Sequence, residues 1–252
     1  MEAFGGSEGT EGDRPLVIEA VGVAGSGKST LIRQLEHEHG VRSGVPIGRT
    51  ETALRELWAA LRFTSFSPWG SPEGTRWFSR QDLRDIAHLE GWERRLSELG
   101  VVPGGPSVVS FDHGPVFRLA RLEGFGPAVT RSDTFRGWLR RTADRWSRTL
   151  DVIVVLDAPD ATLLQRIRTR AQPHAVRAAT DTEALVFLGR FRQAHERFVT
   201  LMAERGVTVV RLDTGAMTPH DVVLASRAAL DAARSRRGSP LGSAVASDRP
   251  GS

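Results

Sequence analysis

The sequence lacks cysteine and tyrosine altogether and contains a single lysine, Lys28, so 33 of its 34 lysine and arginine residues are arginine. Without cysteine, the 252-residue chain can form neither disulfides nor thiolate metal sites, which is compatible with a reducing compartment. Without tyrosine or cysteine, almost nothing titrates between histidine and arginine, so a net charge of only +4 gives an isoelectric point of about 10.8. The high isoelectric point therefore does not indicate a strongly basic surface, and we expect no nucleic-acid partner.

Long apolar runs are also missing, since no stretch approaches the roughly 18 residues that a membrane span requires. Residues 1–13 are acidic and glycine-rich and lack the basic and apolar regions of a signal peptide. We therefore expect a cytoplasmic protein without a membrane partner. Residues 1–13 and 236–252 are small, polar and rich in Gly, Pro or Ser, which predicts disorder. One globular domain is expected over 14–235.

The only lysine lies in a phosphate-binding motif. Residues 22–30 read GVAGSGKST and satisfy the pattern G-x-x-x-x-G-K-[ST]. The apolar run LVIEAVGVA (16–24) before it indicates a buried strand, and STLIRQLEHEH after it indicates a helix that ends at Gly40. This context favours a true phosphate-binding loop over a coincidental glycine turn. The predicted nucleotide-binding residues are Gly22, Val23, Ala24, Gly25, Ser26, Gly27, Lys28, Ser29 and Thr30.

The residue types in this loop suit a nucleotide triphosphate. Glycines allow the backbone to turn so that N–H groups converge on a phosphate, and the following helix adds the positive end of its dipole. Lys28 is expected to reach the β- and γ-phosphates as a compact charge, which a planar guanidinium would not reproduce. Ser29 is expected to place its hydroxyl on Mg²⁺, with Thr30 beside it. ATP and Mg²⁺ are the predicted cofactors.

Strands alternate with helices along the chain. Four further runs read as strands, the first of them weak: 41–47, 107–112, 151–157 and 207–213. Helical patterns cover 51–62, 75–99, 134–149, 160–171, 182–205 and 218–234. This alternation predicts an α/β, P-loop NTPase-type three-layer fold with a parallel five-stranded sheet and helices on both faces.

Three of the predicted strands end in an aspartate, at the sheet edge where ligands bind in such folds. Asp112 can hold Mg²⁺, accept a proton from an attacking hydroxyl, or only cap the helix that follows. Asp157 fits a functional role or a turn before Pro159, and Asp213 favours a turn. Asp112 is therefore predicted to be a catalytic and metal-binding residue.

Arginines cluster after the fourth strand, in LLQRIRTRAQPHAVR. Arg166 and Arg170 are four residues apart and share a helix face. Arg168 and Arg177 complete the cluster, which is either a solvated face or a mobile, arginine-rich lid over about 166–181. In a lid, the guanidinium groups would neutralise charge on a transferring phosphoryl group.

Together these segments resemble the nucleoside and nucleotide kinases of the P-loop class, most closely the thymidylate kinase group. The resemblance covers roughly residues 15–234 and begins with GVAGSGKST. VPIGRT (45–50) is similar to that family's substrate-side segment E-P-G-G-T, and FDHG (111–114) stands at its D-R-[YFHS] signature. LDAPDATLLQRIRTR (156–170) resembles its lid, and RLDTGAMTP (211–219) stands at its adenine loop.

The resemblance implies roles for individual residues. Arg166 would stack on adenine near the loop of Asp213, Thr214 and Gly215, and Arg166 and Arg170 would join Lys28 and Asp112 in catalysis. The resemblance also implies four residues that contact the acceptor: Arg49, Phe78, His113 and Arg168.

Two positions depart from the family. Val45 replaces its carboxylate and His113 replaces its arginine, so the acceptor need not be thymidylate. Glu51 either supplies the missing carboxylate or is an exposed first-turn residue. Trp77 and Phe78 either face an acceptor ring or pack in the core.

The sequence also bears on functions other than that of a kinase. A guanine-reading N-K-x-D motif cannot exist when Lys28 is the only lysine, and the transporter signature L-S-G-G-Q is absent. His113 stands where remodelling ATPases have a Glu that activates water, while a nucleotide-binding regulatory module stays open. We therefore expect an ATP-dependent phosphotransferase whose partner is a small-molecule acceptor: a nucleoside, a nucleotide or a similar hydroxyl-bearing compound. A homodimer is left open.

Overall fold

A computed structural model describes residues 14–37, 40–64, 77–99, 105–170, 176 and 178–238. Its five strands form one parallel sheet in the order β2-β3-β1-β4-β5. The strands are β1 Leu16–Val21, β2 Val41–Ser43, β3 Val108–Phe111, β4 Val152–Asp157 and β5 Thr208–Asp213. The predicted fold class is thereby confirmed.

The helices cover both faces of this sheet. Their bounds are α1 Lys28–Glu36, α2 Arg49–Thr64, α3 Arg80–Leu99, α4 Pro115–Phe125, α5 Asp133–Ser147, α6 Asp160–Thr169, α7 Asp181–Glu204 and α8 Pro219–Gly238, with a 3₁₀ turn over Ala128–Arg131. Side chains alternate across each strand, so Ile18 and Ala20 of β1 pack with α1 and α8. Val17 and Val21 pack on the opposite face, in a core that α3, α4, α5 and α7 share.

Several predicted bounds differ from those observed. β2 ends at Ser43 instead of residue 47, and the Val45 carbonyl accepts a hydrogen bond from the Trp92 indole at 2.9 Å instead of a sheet partner. Helix α3 begins at Arg80; residues 77–79 are not helical, and 75–76 lie outside the described residues. Helix α4 was not among the predicted helical patterns. The alternative that Asp112 caps a following helix is wrong, because Gly114 precedes α4 and no side chain caps the helix.

The predicted disordered termini fall mostly outside the described residues. This holds for 1–13 and 239–252, and also for 171–175 and 177 of the predicted lid. Helix α8, however, continues through 236–238, which the sequence assigned to the disordered tail. The Arg237 guanidinium binds the Asp151 carboxylate and the Arg14 carbonyl, which anchors this last turn to the start of the domain. Within the described residues no helix combines the length and the apolar character needed to cross a membrane.

A buried ion-pair network joins α3 to α4 behind β3. Asp85 is fully buried and accepts hydrogen bonds from both Arg118 and Arg121, while Arg121 also binds Asp82 at 2.9 Å. The Arg118 guanidinium lies 4.6 Å from the Trp92 ring centroid. Because each charge has a partner, the network holds the start of α4 in a fixed place. The β3–α4 connection, with Asp112 and His113, is thereby positioned at the sheet edge.

Glu19 fixes the same connection from the centre of the sheet. It belongs to β1 and is fully buried, and its two carboxyl oxygens accept hydrogen bonds from the backbone N–H groups of Val116 and Phe117 at 2.8 and 2.9 Å. These groups are the unsatisfied donors of the first turn of α4. Burial raises the pKa of Glu19 from 4.5 to about 8, although the two amides and Arg118 oppose the rise.

This shift makes the stability of the fold depend on pH. The folded pKa of Glu19 is above its unfolded value, so the folded state holds a proton that the unfolded state releases between pH 4.5 and about 8. We expect this group to lower the free energy of unfolding as pH rises through that window, by about 1.4 kcal/mol per pH unit. Urea unfolding of the wild type and of Glu19→Gln at pH 5.5 and 8 measures the effect. The wild type should lose roughly 3 kcal/mol more than the variant; parallel losses would contradict the expectation.

Candidate active site

The loop between β1 and α1, which carries the predicted phosphate-binding motif, leaves β1 at the carboxyl edge of the sheet. A Cβ atom on Gly22 would lie 2.2 Å from the Leu156 carbonyl oxygen, so only glycine allows the loop to cross β4 this closely. Gly27 immediately precedes α1 with φ of 96°, a left-handed conformation that glycine adopts without strain. The loop therefore directs the amino end of α1 toward the sheet edge.

Lys28 is the first residue of α1 and is buried. Its Nζ donates a hydrogen bond to the Val23 carbonyl oxygen at 3.0 Å, so the side chain folds back over the loop. Burial lowers the pKa of Lys28 to about 8; the Asp112 carboxylate opposes this shift, and Arg170 adds to it. The ammonium thus has one backbone partner and stands between an acidic and a basic side chain.

Ser29 and Asp112 meet at this edge although they are far apart in sequence. The Ser29 hydroxyl donates to Asp112 Oδ2 at 2.6 Å. Asp112 Oδ1 is buried and has no hydrogen-bond partner, and His113 Nδ1 lies 3.7 Å from Oδ2. A buried acceptor without a partner is costly, so this carboxylate is arranged for a partner beyond the protein.

This pair fits Mg²⁺. The described residues contain no group of three or more His, Cys, Asp or Glu side chains that could hold a metal. Mg²⁺ commonly needs no such cage, because one or two protein oxygens, water and substrate phosphates complete its octahedron. Ser29 Oγ and Asp112 are the hard oxygen ligands that such a site uses.

A cavity of about 390 Å³ opens on the α8 side of the loop, and we refer to it as the α8 cavity. Its lining comprises Gly25, Gly27, Lys28, Ser29, Thr30, Leu31, Arg33, Gln34, Arg166, Arg170, Thr214, Met217, Pro219 and Val222. The lining therefore combines cationic and loop residues with apolar residues of α8 and of the connection before it. A ligand with a charged tail and a flat apolar ring would suit such a lining.

Arg166 links two of the segments that line the α8 cavity. Its guanidinium donates to the Gly25 carbonyl at 3.2 Å, to the Thr214 hydroxyl at 3.0 Å and to the Thr214 carbonyl at 2.8 Å. Thr214 Oγ1 in turn donates to the Asp157 carbonyl at 3.1 Å. Arg166 thus ties the phosphate loop to the β5–α8 connection and presents a planar cation to the cavity.

A second cavity, of about 300 Å³, lies on the α7 side of the loop, and we refer to it as the aromatic cavity. Its lining comprises Gly22, Val23, Ala24, Lys28, Ser29, His113, Phe117, Ile167, Arg170, Phe187 and Phe191. The His113 ring packs edge-on against Phe117, with centroids 4.4 Å apart. Burial lowers the pKa of His113, so the imidazole is more readily neutral than a free histidine.

Other predicted site residues lie away from both cavities. Arg49 is exposed at the start of α2, and Phe78 is buried against Phe63 and Phe135. Arg168 binds Asp181 at the start of α7. Glu51 binds Arg55 within α2, and also Arg94 and Arg95 of α3. Its carboxylate is therefore engaged between the two helices.

The predicted adenine loop, Asp213 to Gly215, places only one of its residues in the α8 cavity. Thr214 lines the α8 cavity, whereas the Asp213 carboxylate accepts a hydrogen bond from the Gly215 N–H at 2.8 Å and closes a turn. A Cβ on Gly215 would lie 2.6 Å from Pro159 Cδ, which brings the two loops into close contact. Asp157 is bound by the Arg192 guanidinium through two hydrogen bonds of 2.9 and 3.0 Å.

Sequence reasoning missed the aromatic residues of the second cavity. Phe187 and Phe191 are four residues apart on α7 and therefore share one face, which is the signal that could have marked them. Phe117 lies on α4, the helix that was not predicted. Only the packing of α4 against α7 brings these rings to the phosphate loop.

The comparisons with known proteins bear on the fold. Neither a protein-family model nor a curated protein matches the sequence. Among solved structures, deoxyadenosine kinase from M. mycoides with products dCMP and dCDP bound has a TM-score of 0.50 and 11% identity, over 86% of this chain and 100% of that chain. The same kinase with dATP or dCTP bound gives a TM-score of 0.47 and 14% identity, with the same coverage. At these identities the likeness concerns the fold alone.

Proposed function

We propose that the protein is an ATP-dependent phosphotransferase of the P-loop nucleoside and nucleotide kinase type, acting on a hydroxyl-bearing small molecule. One observation carries the proposal. Lys28, Ser29 and Arg170 line both the α8 cavity and the aromatic cavity. A phosphoryl group at these three side chains would therefore be accessible to a donor on one side and an acceptor on the other, which is the arrangement that in-line transfer requires.

The donor is assigned to the α8 cavity. Adenine would lie near Arg166, Thr214 and the apolar β5–α8 residues, with its phosphates on the loop and Lys28. Bound Mg²⁺ would be held by Ser29 and Asp112 and would neutralise phosphate charge. Lys28 and Arg170 supply positive charge where the transferring group develops negative charge.

The acceptor is assigned to the aromatic cavity. Lys28 and Arg170 lie at its phosphoryl end, and Phe117, Phe187 and Phe191 offer ring faces for a flat apolar group. Asp112 Oδ1 is the oxygen that remains to accept the proton of an attacking hydroxyl. His113 can hydrogen-bond a neutral acceptor, whereas the arginine of the resembling family would favour an anionic one. We therefore propose a neutral hydroxyl in preference to a monophosphate.

A nucleotide panel tests the proposal. The protein is incubated with ATP or GTP, with and without Mg²⁺, and with nucleosides, nucleoside monophosphates or small polyols, and products are detected by mass spectrometry. We expect a phosphorylated product only when ATP, Mg²⁺ and an acceptor are all present. Equal ADP release without any acceptor would indicate an ATPase, and nucleotide binding without turnover would indicate a regulatory module. Faster transfer from GTP would contradict the assignment of ATP.

A further inference from the structure

A third cavity, of about 700 Å³, lies between the sheet and α7, and we refer to it as the β4 cavity. It is lined by Val21 of β1, Val155 of β4, Arg211 of β5 and one face of α7 from Arg192 to Val199. Among the described residues it shares no lining with the α8 cavity, and it shares only two residues of the loop after β1 with the aromatic cavity. The β4 cavity is therefore distinct from the sites proposed for donor and acceptor.

The floor of the β4 cavity is an apolar part of the sheet that α7 covers incompletely. Val155 lies on β4, and its backbone is in register with Val21 of β1 on one side and with Arg211 of β5 on the other. A central position of a parallel sheet is normally covered on both faces. The Val155 side chain is nevertheless only partly buried. Ala158 and Val199, which are buried, add further apolar surface to the lining. The cavity therefore suits an apolar body.

The charged side chains of the β4 cavity are already engaged with one another. The Arg192 guanidinium binds the Asp157 carboxylate through hydrogen bonds of 2.9 and 3.0 Å. The Arg211 guanidinium binds the Glu196 carboxylate in the same way, at 2.9 and 2.6 Å. Among the described lining residues, both arginines thus have a carboxylate partner, and an anionic ligand would have to compete with these paired contacts. A neutral ligand leaves both ion pairs intact.

His195 is the lining residue whose polar groups are not engaged. It is only 4% exposed, and within the described part of the chain neither of its ring nitrogens has a hydrogen-bond partner. Its ring lies 6.1 Å from the Phe117 ring and 5.6 Å from the Phe191 ring, between centroids, so apolar groups occupy that side. Burial lowers the pKa of His195 to about 3, which leaves the imidazole neutral, with one donor and one acceptor nitrogen. Because buried polar atoms are rarely left unpaired, this ring indicates a partner from outside the chain.

We propose that the β4 cavity binds a neutral ring compound that carries one hydrogen-bonding group, a hydroxyl or a ring N–H, and that this group pairs with His195. Sites for small molecules typically measure about 300–1,000 Å³ and are mostly apolar with a few polar groups, which matches this lining. The ring system would lie on Val21, Val155 and Val199. Such binding does not depend on the proposed phosphoryl transfer, because the donor and acceptor cavities are separate from this one.

Indole and 1-methylindole are matched probes for this site, because their ring systems are alike and only indole carries an N–H. The ring nitrogens of the histidines are observed by ¹⁵N NMR of the full chain at pH 7, and the signals of His195 are assigned by their loss in His195→Phe. We expect indole to shift these signals with a dissociation constant below about 1 mM. 1-Methylindole should bind about three- to tenfold more weakly, because it offers no donor to the imidazole.

Variants separate the β4 cavity from the other two, with affinities taken from backbone amide shifts. His195→Phe should bring indole and 1-methylindole to equal affinity. His88→Phe makes the same change on α3, outside the cavity, at a ring whose Nδ1 also lacks a partner among the described residues, and should keep the difference between the probes. Val155→Phe fills the floor and should abolish binding of both probes, while Phe187→Leu in the aromatic cavity should leave it unchanged.

Each of these measurements can overturn the assignment. Equal affinity of the two probes for the wild type, or an unchanged difference between them in His195→Phe, would show that His195 does not pair with the ligand. Displacement of indole by ADP would place the probe in the α8 cavity instead. The melting temperature of each variant is measured alongside, and a Val155→Phe variant that keeps its fold and still binds indole would exclude the β4 cavity as the site.

Discussion

Replacing Lys28 by alanine should lower the rate of phosphoryl transfer by two to three orders of magnitude. The lysine is buried at the start of α1, 3.0 Å from the Val23 carbonyl, and lines both cavities. Removal of one preorganised group that stabilises the transferring charge costs about 3–4 kcal/mol in the transition state. Nothing else in the loop carries a charge, so Arg170, which lines both cavities from outside the loop, would be the remaining cation at the transferring group.

Lys28→Arg should also have a low rate of phosphoryl transfer, although this substitution keeps the positive charge. A guanidinium is planar and wider than an ammonium, and Lys28 is enclosed by the loop that it folds over. The measurement is kcat with the acceptor identified in the panel, at saturating ATP. Arg33→Ala removes a positive charge from the exposed wall of the α8 cavity and should reduce kcat by less than about tenfold. An arginine variant with full activity would refute the role given to Lys28.

Replacing Asp112 by asparagine should abolish transfer while leaving ATP affinity within a few-fold. The amide keeps the shape of the side chain but cannot take a proton from the acceptor hydroxyl, a contribution typically worth 10²–10⁴-fold. It also provides a weaker ligand for Mg²⁺ beside Ser29. ATP affinity should persist because the phosphates are held by the loop, α1 and Lys28.

The change at Asp112 separates two kinds of acceptor. A phosphate acceptor is already anionic and needs no base, so Asp112 would act on it only through Mg²⁺. The readouts are kcat and the dissociation constant of ATP, measured for the wild type and the variant. Asp157→Asn makes the same substitution at the end of β4, where the carboxylate is already bound by Arg192, and should keep kcat within about threefold. Near wild-type transfer by Asp112→Asn, or a panel in which only monophosphates react, would show that Asp112 is not the base.

The glycine-rich loop between β1 and α1 and the parallel sheet could be predicted because their signals are local. A glycine-rich segment between an apolar run and a helical pattern is compatible with few structures other than a strand–loop–helix unit. Strands that alternate with helices indicate a parallel sheet. The sequence also placed Asp112 at a strand end. It also assigned both Ser29 and Asp112 to Mg²⁺, but the direct contact between the two side chains depends on β3 being next to β1 while β2 lies outside it. Strand order follows from packing over the whole sheet and not from any one segment.

Helix α4 shows where local patterns fail. It begins at a proline after a glycine, and its apolar residues pack against both the sheet and α7, so no single polar face marks it. With α4 unassigned, the aromatic cavity could not be foreseen from the sequence. The acceptor side was assigned to Arg49, Phe78, His113 and Arg168. Of these, His113 lines the aromatic cavity, whereas Arg49 lies at a helix start, Phe78 lies in the core and Arg168 binds Asp181.

The helical period of α2 determines which of its side chains share a face, and this can be read from the sequence alone. It places Leu54, Leu57, Trp58 and Leu61 on one face, with Glu51 and Arg62 at the edge of that face and Phe63 on the opposite side. Which face turns inward is decided only when α3 supplies arginines and a glutamate that pair with the charges. The physical reason is that periodicity shows that a face favours removal from water, whereas tertiary contacts decide what covers it.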